Sequence, residues 1–136
     1  MTEQVTPKLL AQRIRNRIIE VLELSSSFEE QLAYQASVPI AHVAAEVIEQ
    51  WQDFVNPQSL PQITGPVFSD DEVAAIHAFN AVWDNVADDV PEPLPSLETL
   101  QLSEPWERLR TAALSSLSVM GRRGRFPEDH ELGVFS

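Results

Sequence analysis

The chain has 136 residues, 43% of them apolar and 22% charged, with a formal net charge of -12 and no cysteine. That is the size and composition of one folded domain with a core of its own. Without cysteine there is no disulfide frame, thiolate zinc site or cysteine nucleophile. A strongly acidic chain repels phosphate backbones, which argues against nucleic-acid binding and in favour of a basic partner.

The first residues, "MTEQVTPKLLAQRIRNR", are polar and then basic, without the apolar core of a secretion signal. No apolar run approaches the ~20 residues that cross a bilayer. The expectation is a cytoplasmic protein with no membrane role.

Thr6-Pro7 is a helix start, with threonine placed to cap and proline preset for the first turn. Leu10, Ile14, Ile18, Val21 and Leu22 then recur at helical spacing. Ser27 is placed to cap a second helix with Glu29 and Glu30 in its first turn, where acids suit the dipole. Leu32, Ala33 and Ala36 are its expected inward face, and Pro39 ends it. A third helix is predicted over Ile40 to Val55, with Val43, Ala44, Val47, Ile48, Trp51, Phe54 and Val55 as its stripe.

A long connection follows, with Pro57, Pro61, Gly65 and Pro66, in which Gln62 to Phe68 has the composition of a short extended run. Ser69 and Glu72 then form a capping-box pattern opening a fourth helix, striped by Ile76, Phe79, Trp83, Val86 and Val90. Pro91, Pro93 and Pro95 make a stiff spacer. The last helix is predicted from Ser103, with Trp106, Leu109, Ala113, Leu117 and Met120 inward. Gly121 or Gly124 ends it, beside Arg122, Arg123 and Arg125. The predicted fold is all-α: a compact bundle of about five amphipathic helices with proline-rich connections, residues 1–136 forming one helical domain. Residues 126–136 are a tail that either stays flexible or docks through Phe126 or Phe135.

Charge along the chain is segregated. Between Arg17 and Arg108 there is no lysine or arginine, yet 17 of the 21 acids lie there. Ordinary surfaces intersperse the two signs. Five of these acids have a local reason to be where they are: Glu29, Glu30, Asp70, Asp71 and Glu72 sit in first turns. Asp84, Asp88, Asp89 and Glu92, in "WDNVADDVPEPLP", do not. They cluster towards a helix C-terminus, where the dipole opposes negative charge, and Asp84 and Asp88 form a like-charge pair one turn apart. A local rule broken in this way tends to mark a functional place. The competing account is that the terminal arginines fold back and neutralise the acids.

The chemistries of catalysis find little purchase. No Glu-x-x-His pair of the di-iron bundle type occurs. His42, Glu46, Glu49 and Asp53 share one helical face, but it lies away from the apolar stripe, so a solvated face accounts for it better than a metal site. His77 is two turns from Asp84, and His130 lies in the acidic tail. No Gly-x-Ser-x-Gly elbow and no glycine-rich phosphate loop is present, and "GRRGRF" fits a helix-end cap better than an anion site. No metal or cofactor is expected.

An acidic, cysteine-free helical chain of this kind is similar in general character to the inhibitory half of a bacterial toxin–immunity pair. That resemblance implies a protein-binding module rather than an enzyme, one that steers and occludes a basic partner. The expected partner-binding residues are Asp84, Asp88, Asp89 and Glu92, with Asp70 and Asp71 as a second set. The alternative is a helical ligand-binding or adaptor protein with an apolar pocket between helices, lined by residues such as Trp51, Trp83 and Trp106.

Overall fold

Hydroxyl side chains set the helix starts. Thr6 accepts a hydrogen bond from the Leu9 amide, Ser27 from Glu30, Ser69 from Glu72, Ser96 from Thr99 and Ser103 from Trp106. Each satisfies an amide that the first turn leaves open and contributes about 1 kcal/mol. The computed structural model, which describes residues 5–133, accordingly runs as α1 (Pro7–Ser26), α2 (Phe28–Ser37), α3 (Val43–Phe54), α4 (Asp70–Asp89), α5 (Leu97–Gln101) and α6 (Glu104–Met120). A 3-10 turn (Leu60–Gln62) sits in the connection before α4. The fold is all-α. Gln62 to Phe68 forms no strand, and there is none among the described residues.

Helix α6 lies against both α4 and α1, and α3 packs on α1. The stripes meet where periodicity placed them: Ile18, Leu22, Val47, Trp51, Ile76, Phe79, Trp106, Leu109 and Met120 are each 1% exposed or less. Burying a large apolar side chain is worth roughly 1.5–3 kcal/mol, so this shared core outweighs any surface ion pair. Trp51 of α3 stands edge-on to Phe79 of α4, ring centroids 4.4 Å apart, and its Nε1 donates to Asn80 Oδ1 at 2.8 Å. Trp83 Nε1 donates to the Ile48 carbonyl at 2.8 Å. In these two bonds the later residue of α3 meets the earlier residue of α4, the order of an antiparallel pair.

Three expectations are corrected. Helix α2 turns the other way: Leu32, Ala33 and Ala36 are exposed, and the residue it buries is Gln31. Gln31 Nε2 donates to the Leu24 carbonyl at 2.9 Å, while its Oε1 accepts from Trp106 Nε1 at 3.0 Å and from Gln101 Nε2 at 3.2 Å. A satisfied amide thus outcompetes leucine for the interior, since Trp106 needs an acceptor. In α1, Leu10 is exposed and Leu9 is buried instead. Trp83 is half-buried rather than fully inward.

The far end of α6 is closed from α1. Asn16 brackets Phe126, donating to its carbonyl at 2.8 Å and accepting from its amide at 2.9 Å. Gln12 donates to the carbonyls of Pro127 and His130 and accepts from the Leu132 amide, each at 2.9 Å. The chain after α6 therefore docks through Phe126, one of its two expected anchors. Phe135 lies outside the described residues. Gly124 has a φ of 70°, a left-handed conformation that suits glycine.

Candidate functional site

The site begins with what the arginines do. Arg15 is fully buried in α1 and donates to Glu72 through Nε at 3.2 Å and Nη2 at 2.7 Å. Arg123, from the segment after α6, bonds the same carboxylate and reaches the Val67 carbonyl at 2.7 Å. Arg15 also stacks on the Phe126 ring, 3.9 Å from its centroid. Burial pushes the Glu72 carboxyl up, but hydrogen bonds from Arg123, Arg15 and the Ser69 amide outweigh it and hold the pKa at about 2. "GRRGRF" accordingly clamps the start of α4 through Arg123, the largely buried one of its three arginines.

Other arginines quench part of the acidic stretch. Arg125 pairs with Glu23, and Arg122 with Asp71 at 3.3 Å. Arg108 bridges Asp89 at 2.8 Å and Glu104 at 2.9 Å. Of the residues expected to bind a partner, Asp89 and Asp71 thus have a cation, although both pairs are solvent-exposed and worth at most about 1 kcal/mol. No cation within the "WDNVADDVPEPLP" window answers its acids; Arg108, from the next long helix, answers one of them.

Asp84, Asp88 and Glu92 are different. All three are exposed, and none forms an ion pair among the described residues. Asp84 and Asp88 stand one turn apart on the outward row of α4, and Glu92 follows in the proline spacer. Asp70 is likewise exposed and unpaired, but it lies at the opposite end of α4, so the two sets do not form one patch. Asp84 and Asp88 stand one turn apart on α4, Asp89 follows with a partner of its own and Glu92 lies three residues past the end of the helix, while Asp70 and Asp71 lie at its other end.

A groove of about 310 Å³ adjoins this row, lined by Gln52, Val55, Asn56, Pro57, Leu60, His77, Asn80 and Trp83. No local pattern in the sequence places this groove; Trp83, at the edge of its stripe, is the one signal for it. A larger groove, of about 460 Å³, lies between the start of α3 and the proline spacer, with Val43, Ala44, Leu94, Pro95 and Leu97 among its walls. Near it, Tyr34 donates to Glu46 Oε1 at 2.9 Å, and that bond raises the Tyr34 pKa. The described residues hold no group of three or more histidines and acids placed to bind a metal.

No family model, no curated protein and no solved structure matches this chain.

Proposed function

We propose that the protein is an acidic protein-binding module that captures a basic partner on the C-terminal half of α4, in the manner of an inhibitor or immunity protein. The observation that carries this reading is that Asp84, Asp88 and Glu92 form no ion pair among the described residues, in a fold that has placed its arginines against other carboxylates and carbonyls. Uncompensated charge on one ridge produces a field that speeds encounter with a cationic surface. The dipole of α4 works against acids at this end, so their retention there favours a role other than stability.

Capture from the native host on immobilised protein, at low and at high salt, tests the reading. The expected result is a basic protein that is retained at low salt, released at high salt, and lost with the Asp84→Asn/Asp88→Asn/Glu92→Gln variant. Retention indifferent to both salt and the variant would refute it. A ligand-binding role is the second reading. It rests on the groove of about 460 Å³ beside the proline spacer, whose size falls within the small-molecule range.

A further inference from the structure

We infer that the groove between α3 and α4 seats an apolar side chain from the partner, with lysines or arginines of the same partner segment reaching the carboxylates at its Trp83 end. This rests on the proposed capture of a basic partner and specifies how that partner is held.

The register of the two helices carries the inference. Ile48 meets Trp83, Trp51 meets Asn80, and Asn56 lines the same groove as His77. The helices are antiparallel, so going up α4 is going down α3. On the α3 bank, Glu49 comes one turn before Gln52, on the same face of the helix, and Asn56 follows just past its end. On the α4 bank, Asp84 comes one turn after Asn80 and two turns after His77. Glu49 and Asp84 therefore each lie about one turn beyond a groove-lining residue of their own helix, Gln52 and Asn80, towards the Ile48–Trp83 contact. Both are exposed and neither has an ion pair among the described residues. Asp88 extends the α4 bank by one further turn.

Between the banks the surface changes character. Val55 and Pro57 form part of the floor and wall, and Leu60, also on the wall, is 40% exposed. Trp83 is half-buried, pinned by its indole N–H to the Ile48 carbonyl, so its ring is a fixed wall. A rigid tryptophan beside an apolar recess is a common anchor point in protein interfaces, and its face also attracts cations. Negative charge one turn beyond the Trp83 end selects against acidic segments and in favour of lysine or arginine. A recess with carboxylates at one end thus matches a segment that presents an apolar residue flanked by cations.

Three labelled peptides of about 12 residues test this by fluorescence anisotropy. One carries a central leucine flanked by lysines, the second has glycine in place of that leucine, and the third has glutamates in place of the lysines. The first is expected to bind at least about tenfold more tightly than the second, and the third not to bind. Gln52→Trp, at an exposed position on the groove wall, is expected to abolish the preference for leucine while leaving the lysine dependence. Equal binding of the leucine and glycine peptides, or a preference untouched by Gln52→Trp, overturns the groove assignment while charge capture stands. Equal binding of lysine and glutamate peptides overturns both. Circular dichroism of Gln52→Trp shows whether the helical fold is kept, and Leu60→Lys, at a second exposed wall position, gives the same reading independently: it is expected to weaken the leucine peptide most.

Discussion

Arg15 of α1 and Glu72 of α4, 57 residues apart, meet at 2.7 Å with side chains 0% and 2% exposed. Glu72 also completes the capping box of α4 by accepting from the Ser69 amide at 3.1 Å. One carboxylate therefore starts a helix and ties that helix to α1 and to the segment after α6.

Removing that charge is expected to be costly. Glu72→Gln leaves Arg15 buried without its counter-ion, a change that costs about 3–5 kcal/mol. Urea unfolding followed by circular dichroism measures it. Glu23→Gln, which breaks the exposed pair with Arg125, is expected to cost no more than about 1 kcal/mol. Equal losses for the two would contradict the placement of Glu72.

The same residue sets an acid limit. Its folded pKa of about 2 lies below the ordinary carboxylate value of 4.5. Its contribution is therefore complete above about pH 4.5 and is lost as pH falls towards 2. Thermal unfolding is expected to show stability dropping through that window. Glu72→Gln is expected to flatten the drop.

Helix α2 reverses the usual hydrophobic rule. Gln31→Leu strands Trp106 Nε1 without its acceptor, at a cost of about 1–3 kcal/mol, and leaves the Leu24 carbonyl with the Ser27 amide alone. Leu32→Gln, at a 40% exposed position, is expected to change stability by less than about 0.5 kcal/mol. Melting temperatures of the pair test the inversion: a more stable Gln31→Leu would contradict it.

Asp88 sits in the last turn of α4 and one turn after Asp84. Asp88→Asn relieves both the dipole conflict and the like-charge pair, so it is expected to raise stability by about 0.3–1 kcal/mol. A loss of stability in urea unfolding would show that the carboxylate has a structural role.

What was legible in the sequence was local. The capping box of Ser69 and Glu72 follows from their spacing, and the buried stripes of α3, α4 and α6 follow from a period near 3.6. The second life of Glu72 was invisible, because Arg15 and Arg123 arrive from distant parts of the chain. Helix α2 was misread for the same reason: Gln31 is buried by acceptors and donors up to 75 residues away, and a ten-residue helix holds too few turns for periodicity to decide. Helix α5 escaped notice because five residues between prolines give no period at all. The acidic ridge was half legible. Asp84, Asp88 and Glu92 form no ion pair among the described residues, whereas Asp89 pairs with Arg108 through a tertiary contact that no local pattern shows.

The most direct measurement of the central claim is the association rate of the captured basic partner as ionic strength is raised. The account predicts a steep fall in rate for the native protein, since exposed charges are screened within about 10 Å at ~0.1 M salt. It also predicts a slower, much flatter response for Asp84→Asn/Asp88→Asn/Glu92→Gln. The same rate and the same salt slope in both proteins would contradict it.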